Sequence, residues 1–354
     1  MIAVRLFHLG NTLVQRLLQP GEIETLDHNA IIRLHLPQAT GLFTARATRL
    51  RQLADNQVAA IPVEPGYRGY LLAMAALVDA QASVTAKRGP LGVALPDDNL
   101  MQQAHNHNMP PLPANGERPA EWRAVFAELV DALENNAEAS VQMAPALAHL
   151  RSLGTAELEG IADLILDGAT DGIDTLAAPF IAAALQVCWT IMAAQLDVSW
   201  ASPLITGTLC PVCGSHPVSS VIRIGGQSQG YRYLHCSLCA SEWHMVRVKC
   251  SCCENNEKIQ YQSITDFDAP EAGAIEPDTH GQTRINKLSD PTKMARAETC
   301  DKCHTYRKIF NQEHDYNIDP LADDLASLTL DMLVSELGYA RASGNPLLWL
   351  AAEA

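Results

Sequence analysis

The sequence has few basic residues. Lysine and arginine total 25 against 40 aspartates and glutamates, which gives a formal charge of -15 over 354 residues. A protein that binds nucleic acid generally needs a basic face to neutralise phosphates, so this balance argues against that class of partner. The balance reverses only locally, because residues 207–253 carry four basic side chains against a single acid, Glu242.

Segments that would cross or leave a membrane are also lacking. The most apolar stretch, residues 180–196, is shorter than the roughly 20 residues that a spanning helix needs, and it contains Gln186, Thr190 and Gln195. Residues 1–19 contain no continuous apolar region that ends at a small-residue cleavage site. We therefore expect no integral membrane segment, no signal peptide and a cytoplasmic location, where disulfides are rare.

Motifs of the common enzyme classes are absent from the sequence. It has no P-loop, no GxGxxG phosphate cradle and no hydroxyl, histidine and carboxylate set in a catalytic context. The adjacent acids Asp323 and Asp324 are expected in the first turn of a helix, where negative charge suits the helix dipole, and on a partner-facing surface. No catalytic residue is predicted, and we expect a protein that is not an enzyme.

Cysteine is unevenly distributed, and this divides the chain. Nine of the ten cysteines lie between residues 210 and 303, and the tenth, Cys188, lies in an apolar helix where it is expected to pack. Before residue 203, apolar residues recur at i, i+3, i+4 and i+7, which predicts an all-helical domain over 1–202. The predicted helices cover 43–54, 70–81, 121–133, 155–166 with Thr155 as N-cap, and 176–196, with a proline-rich linker at 109–119.

Four CxxC pairs follow one another in the second part of the chain. Two residues between thiolates allow a tight turn to direct both sulfurs at one ion, and two such turns complete a tetrahedral site. Pairing in chain order leaves 22 residues between the pairs of a first site, close to zinc-ribbon spacing, and 46 within a second. The predicted ligands are Cys210, Cys213, Cys236 and Cys239 for the first site, and Cys250, Cys253, Cys300 and Cys303 for the second.

Other uses of these cysteines fit the sequence less well. Disulfides need an oxidising compartment, and thiol redox catalysis needs a low-pKa cysteine on a strand-to-helix turn, which no βαβ pattern supports here. The C-x2-C-x2-C-x3-C-P run of an electron-transfer ferredoxin is absent. Cys252 could replace Cys253 as a ligand, but the two-residue spacing favours Cys253. His235 and His244 are expected near the sites or at the surface rather than as ligands.

Short strands are predicted around the cysteine pairs. Residues 218–224 and 231–235 surround a glycine-containing turn and predict a hairpin, and 243–249 and 258–264 are further strand candidates. The polar residues 266–294 predict a long mobile loop. The expected divisions are a first metal module at 203–248, a second at 249–316, and a C-terminal amphipathic helix and tail at 317–354.

The residues around the cysteine pairs carry a family resemblance. The chain strongly resembles the formate dehydrogenase accessory protein family, FdhE, and the stretches that carry the resemblance are CPVCGSHPVSSVIRIGGQSQGYRYLHCSLCASEWHMVRVKC (210–250), CDKCHTYRKI (300–309), ADDLASLTLD (322–331), GYARASGNP (338–346) and, more weakly, TARATRLRQLA (44–54). The resemblance implies a multidomain fold, with a helical domain followed by two rubredoxin-like modules that hold one metal ion each on four cysteines. Iron is favoured by the resemblance, and zinc suits the same four sulfurs.

The resemblance also implies a function. It implies a cytoplasmic, non-catalytic protein required for active respiratory formate dehydrogenase, which binds the molybdenum-containing catalytic subunit before export by the twin-arginine pathway. Two departures concern the second site: the stretch between Cys253 and Cys300 is longer than in the family pattern, and Cys303 is followed by His304, whereas Cys213 is followed by Gly214. Since glycine serves the tight turn, we expect the second site to be looser.

Four side chains near the first site are candidate contacts for the client enzyme. Aromatic residues and arginine are common interface anchors, so exposed contacts are expected from Tyr231, Tyr233, Trp243 and Arg247. The aromatic side chains could instead fill the small cores of the metal modules. The alternative function is rubredoxin-like electron transfer or redox sensing, because iron has a redox couple that zinc lacks. A zinc-ribbon nucleic-acid binder is disfavoured by the acidic composition.

Overall fold

The computed structural model describes residues 6–8, 11–13, 31–169, 171–201, 204, 206–264 and 291–349. Strands β1 (Leu6–His8) and β2 (Asn11–Leu13) form an antiparallel pair near the N-terminus. The mobile loop predicted at 266–294 lies outside the described residues except for the single helical turn α9 (Pro291–Met294).

The helical half follows the apolar periodicity of the sequence. All five predicted helices are present, and three shorter ones (α3, α5 and α6) were not predicted. The helices are α1 (Ala39–Ala54), α2 (Arg68–Arg88), α3 (Asp98–Asn106), α4 (Trp122–Glu134), α5 (Ala137–Gln142), α6 (Ala144–Ser152), α7 (Thr155–Leu166) and α8 (Ala178–Ala194). The cap of α7 is Gly154 rather than Thr155, and the Gly154 N–H donates to Glu157 Oε2 at 2.7 Å.

Helix α8 is the centre of this half and packs against α2, α4 and α7. Its residues from Ala178 to Ala193 are all buried, which accounts for the long apolar stretch in the sequence. Cys188 is fully buried, and burial raises the pKa of its thiol to about 12, so its predicted packing role is confirmed. Among the described helices, α2 is long and apolar enough to cross a membrane by length and composition, and it packs against α1, α4 and α8.

The second part of the chain and one short strand of the helical half form one mixed sheet. Its strands are β3 (Leu34–His35), β4 (Pro217–Ile222), β5 (Arg232–Cys236), β6 (Glu242–His244), β7 (Ile259–Gln262), β8 (Ala295–Cys300), β9 (Thr305–Asn311) and β10 (Ala340–Arg341). The order is β3-β6-β5-β4-β9-β8-β7, with β10 beside β9. The predicted hairpin and the strand within 258–264 are confirmed, whereas the strand predicted at 243–249 ends at His244.

Two strand pairings join regions that were predicted to be separate modules. Strands β4 and β9 run parallel, with Ser220 opposite Ile309, so the two cysteine modules share a continuous sheet. Strand β3 comes from the helical half and pairs with β6, with Leu34 opposite Trp243. The helical region followed by two four-cysteine clusters is confirmed as the fold class, and the division at residues 202, 248 and 316 stays a prediction.

The C-terminal segment is two helices rather than the single amphipathic helix that was predicted. Helix α10 (Pro320–Ala326) and helix α11 (Leu328–Glu336) are separated by Ser327, whose backbone leaves the helical conformation at φ -92° and ψ 43°. The Ser327 hydroxyl donates to the Asp323 carbonyl at 2.7 Å, a local bond that competes with helix continuation.

The expectation that Asp323 and Asp324 face a partner is wrong, because both are completely buried. Arg49 Nη2 donates to Asp323 Oδ1 at 2.6 Å, which ties α10 to α1, and Asp324 forms ion pairs with Arg341 and Lys308. Burial outweighs the nearby Arg49 charge and raises the pKa of Asp323 to about 6. These acids therefore dock the C-terminal segment onto the interior of the protein.

Candidate metal centres

The eight predicted cysteines form two groups of four sulfurs, as the pairing in chain order predicts. In the first group, Cys210 Sγ lies 3.6 Å from Cys239 Sγ and Cys213 Sγ lies 3.4 Å from Cys236 Sγ. The cross-pair distances in the second group, Cys250 to Cys303 and Cys253 to Cys300, are both 3.8 Å. A tetrahedral ion with metal–sulfur bonds of about 2.3 Å separates its sulfurs by about 3.8 Å, so both groups could hold a metal ion.

The four cysteine turns share one backbone feature. The residue after the second cysteine of each pair has a left-handed conformation, with φ of 79° at Gly214, 58° at Ala240, 57° at Glu254 and 53° at His304. The N–H of this residue donates to the carbonyl of the first cysteine in the Gly214, Glu254 and His304 turns, at 2.8 to 3.0 Å. His304 thus adopts the turn that Gly214 adopts, and the missing glycine does not change the backbone of the second site.

Hydrogen bonds to the sulfurs favour the thiolate form. The backbone N–H groups of Leu238 and Cys239 both donate to Cys236 Sγ at 3.4 Å. A hydroxyl two residues after the second cysteine completes each site, with Ser241 Oγ 3.2 Å from Cys239 Sγ and Thr305 Oγ1 3.0 Å from Cys303 Sγ. Donors to the charged form favour it, so the two backbone N–H groups prepare Cys236 to bind a cation, whereas the Cys239 thiol itself donates to the Ser241 hydroxyl.

The buried sulfurs of the first site need a cation. Burial raises the pKa of the Cys210 and Cys236 thiols well above the ordinary value. Four thiolates at this spacing would repel one another in a medium of low dielectric constant, and a bound metal ion would supply the compensating charge. At the second site, burial raises the pKa of Cys303, but hydrogen bonds from the Thr305 side chain and backbone bring it down to about 7.

Residues of the helical half hold the first cysteine turn of the first site in place through backbone hydrogen bonds. The proline-rich tract, predicted as a linker, binds the first turn through Leu112 N–H to the Val212 carbonyl at 3.0 Å and Ala114 N–H to the Cys213 carbonyl at 2.9 Å. Trp189 of α8 holds the tract by donating to the Leu112 carbonyl at 2.9 Å. All four cysteines of this site are buried as a result.

The second site is more exposed than the first. Cys253 is exposed and Cys303 is partly exposed, although Cys250 and Cys300 are buried. A small separate core of Ala297, Tyr306, Leu330 and Val334 supports this module. Cys252 is exposed and lies outside the group of four sulfurs, as the spacing predicted. The second site was expected to be looser because its turn lacks a glycine. The structure shows instead that the two sites differ in how deeply their cysteines are buried.

The four candidate client contacts divide into buried and exposed pairs. Tyr233 and Trp243 are buried, so the expectation that they are exposed is wrong for both. Their polar atoms bond inside the protein, Tyr233 Oη to the Ile32 carbonyl at 2.9 Å and Trp243 Nε1 to the Gly207 carbonyl at 2.7 Å. Tyr231 is partly exposed and Arg247 is exposed. A client-binding role for these residues stays a prediction.

Sequence reading missed a buried ionic network beside the first site. Arg46 Nε donates to Asp319 Oδ1 at 3.0 Å, and Arg46 Nη2 lies 3.5 Å from His235 Nε2. On its other side, His235 Nδ1 lies 2.8 Å from Glu242 Oε1, and Glu242 also pairs with Arg223. His235 is therefore a buried neighbour of the site and not one of the four grouped sulfurs. The signal that could have found the network was TARATRLRQLA, which places Arg46 and Arg49 on the otherwise apolar face of helix α1 that is buried.

Three family models match most of the chain. Residues 31–205 match "FdhE, N-terminal", residues 209–247 match "FdhE, central domain" and residues 282–348 match "FdhE, C-terminal domain". Cys250 and Cys253 lie between the second and third matches, so the geometry and not the family match places them with Cys300 and Cys303.

Several relatives are similar over nearly the whole chain. The Protein FdhE homolog of Pseudomonas aeruginosa is 36% identical over 94% of this chain and 97% of its own. Protein FdhE of Escherichia coli K12 is 37% identical over 93% of this chain and 95% of its own, and the homolog of Edwardsiella ictaluri is 37% identical over 90% and 92%. The crystal structure of the FdhE protein from Pseudomonas aeruginosa superposes with a TM-score of 0.71 at 34% identity, and it covers 91% of this chain and 100% of the other.

Proposed function

Since this chain belongs to the FdhE family, we propose that it is a non-catalytic accessory protein in the production of active respiratory formate dehydrogenase. It acts in the cytoplasm and binds the molybdenum-containing catalytic subunit before that subunit is exported. The observation that carries the proposal is the continuous likeness to FdhE proteins across the helical half and both cysteine modules.

The two four-cysteine groups support a non-catalytic role. A catalytic zinc site keeps one position open for water or substrate, whereas a structural site is closed by four protein ligands. Each group supplies four sulfurs to one ion, which would leave no position for a substrate. A bound ion would fasten two turns that are far apart in sequence, and the proposed role of the eight cysteines is to shape a docking scaffold.

The proposal is tested by genetic complementation and by direct binding. In a bacterium whose own FdhE gene has been deleted, expression of this protein should restore formate-dependent respiration, and the purified protein should bind the purified catalytic subunit. The Cys213→Ser variant should lose both properties, and Cys252→Ser, which changes a thiol outside the grouped sulfurs, should keep both. Full enzyme activity in the strain without this protein would overturn the proposal.

Electron transfer to the client is the second candidate, and the exposure of the second site favours it. Exposed Cys253 would bring a bound iron within reach of a partner's redox centre, and hydrogen bonds to sulfur tune the potential of such a site. Metal analysis and a visible spectrum of protein purified without oxygen distinguish the two functions. Two irons per chain with a reversible potential would support electron transfer, and two colourless zinc ions would exclude it.

A further inference from the structure

A large groove separates the helical half from the first cysteine module. Its walls are the start of α1, the end of α2, the turn at residues 223–228 and the segment 312–320, and its volume is about 1570 Å³. Small-molecule sites usually occupy about 300–1,000 Å³, so this groove is large enough for a segment of polypeptide. We refer to it as the interdomain groove.

The charged side chains on the floor of the interdomain groove are already paired within the protein. Glu242 pairs with Arg223 and Asp319 pairs with Arg46, while Arg49 pairs with Asp323 and Asp315. A charged ligand group that bonded one of these side chains would compete with the partner that it already has, which is unfavourable where removal of the partner leaves a buried charge unpaired. The groove therefore favours a ligand without charge.

Neutral hydrogen-bonding groups line the same groove. Thr44, Thr48 and Gln52 stand on the α1 wall. Thr85, on the α2 wall, is 6% exposed, and its Oγ1 has no hydrogen-bond partner within the described residues. A buried polar atom without a partner is costly, so this hydroxyl is suited to a peptide group of a ligand.

One wall of the interdomain groove is formed by the strand β3 and the residues that follow it. Strand β3 is the end strand of the sheet in the described part of the chain, and β6 pairs with one side of it. His35 of β3 and the following residues 36–38 line the groove. The opposite rim carries Tyr316, which is 75% exposed and is the type of side chain that anchors interfaces. An extended chain could add to β3 through its backbone and contact Tyr316 with its side chains.

We propose that the interdomain groove binds an extended, uncharged stretch of the partner polypeptide, which adds as a strand to the edge of β3 that no other strand of the described residues pairs with. The proposal rests on the proposed function, since the partner is the catalytic subunit that the accessory protein binds. Backbone hydrogen bonds at β3 supply affinity, and the paired charges of the floor exclude segments rich in acidic or basic residues.

Hydrogen exchange of this protein, alone and with the purified catalytic subunit, tests the strand addition. The amides of Leu34, Leu36 and Gln38, which alternate with residues whose backbone faces β6, should exchange at least tenfold more slowly in the complex. Strand β7 is the internal control, because it is the other end strand of the described sheet and carries the exposed Tyr261. Slower exchange at β7 with no change at β3 would overturn the proposal.

A matched pair of variants tests occupation of the groove. Thr44→Trp places a large ring in the groove, and Thr155→Trp places one at an exposed position on α7 that is not part of the groove lining. Binding of the catalytic subunit should weaken at least tenfold in Thr44→Trp and stay within twofold in Thr155→Trp, with two metal ions per chain in both as a check of folding.

The outcomes separate this proposal from the function on which it rests. Tight binding by both variants would overturn the groove proposal and leave the accessory function intact. Failure of the unaltered protein to bind the catalytic subunit would overturn both. If Thr44→Trp lost metal, the variant would be misfolded and its binding would not test the groove. The hydrogen-exchange experiment, which uses the unaltered protein, would then decide.

Discussion

The residue that follows each second cysteine has a left-handed backbone, and only Gly214 adopts it freely. A residue with a Cβ atom is destabilised by roughly 1–2 kcal/mol in this conformation. Ala240, Glu254 and His304 nevertheless adopt it. Because the turn hydrogen bonds and the converging sulfurs determine this backbone, the fold tolerates the strain at three of the four turns.

Substitution of Gly214 should therefore be costly. Gly214→Ala should lower the free energy of unfolding by about 1–2 kcal/mol, because φ is 79° and the new Cβ would lie 3.4 Å from Pro110 Cγ. His304 is exposed and occupies the equivalent position in the second site, so His304→Gly should raise the free energy of unfolding by about 1 kcal/mol. Urea unfolding of the metal-loaded protein measures both changes.

Gly160 provides the control for these two substitutions. It lies within α7 at a position without positive φ, and a Cβ atom added there would have no heavy atom within 4 Å outside its own helix backbone and chain neighbours. Gly160→Ala should therefore stabilise the protein by about 0.5–1 kcal/mol. A loss of stability in Gly160→Ala as large as that in Gly214→Ala would contradict the conformational explanation.

At the scale of the element, the proline-rich tract acts as a backbone clamp on the first site. Proline at position 114 removes the N–H that donates to the Cys213 carbonyl. Ala114→Pro should speed the release of metal from the first site at least fivefold, because the turn loses its attachment to the helical half. The rate is measured on zinc-loaded protein with a chelator whose absorbance changes when it binds zinc. Ala114→Ser keeps the N–H and should release metal at the original rate, and equal rates for the two variants would contradict the clamp.

Helix α10 should give the protein a measurable pH dependence. Its Asp323 has a pKa of about 6, raised by burial from the ordinary 3.8, so the folded state holds this proton more tightly than the unfolded state. The contribution of Asp323 to the free energy of unfolding should therefore fall as the pH rises from 5 to 7, by roughly 1 kcal/mol. Glu242, whose pKa is lowered by Arg223 and His235 in spite of burial, contributes in the opposite direction only at acidic pH.

Comparison with Asp323→Asn isolates this contribution. The free energy of unfolding of the original protein and of the variant is measured in urea at pH 5, 6 and 7. The value for the original protein minus that for the variant should fall by roughly 1 kcal/mol from pH 5 to pH 7. Asp315→Asn is the control, because it removes the other acid that pairs with Arg49. It shows whether loss of any acid beside Arg49 gives the same change of unfolding free energy with pH. A pH-independent difference for Asp323→Asn would contradict the raised pKa.

At the scale of the whole molecule, the two cysteine sites belong to different cores. All four cysteines of the first site lie within the main hydrophobic core, together with α8. The second module has its own small cluster around Tyr306 and Leu330, and β4 and β9 connect it to the rest through the sheet. Opening of the second module therefore exposes less apolar surface than opening of the first.

Metal release should consequently occur in two phases. When the protein is loaded with zinc and mixed with excess chelator, one ion per chain should leave at least tenfold faster than the other, and the fast phase should come from the second site. Cys253→Ser should abolish the fast phase and leave one bound ion, whereas Cys252→Ser should retain both phases. Release of two ions in a single phase would show that the two modules open together.

Much of the local structure was accessible from the sequence. The CxxC spacing specified the sulfur groups because two intervening residues determine a turn by themselves, and the apolar periodicity specified five helices because it records which face is buried. Long-range partners were not accessible. Tyr233 and Trp243 resemble surface anchors, yet both are buried, because β3 and the helical half cover the strands that carry them.

The sequence by itself therefore determined the cysteine pairing, five of the helices before residue 203 and the family. Only the tertiary structure decided that β4 and β9 unite the modules, that Asp323 and Asp324 are interior ion pairs and that a proline-rich tract holds the first site. The physical reason is the range of the contacts. A turn or a helix is specified by neighbours within a few residues, whereas burial and ion pairing depend on segments such as 46 and 319 or 49 and 323, which only the folded chain brings together.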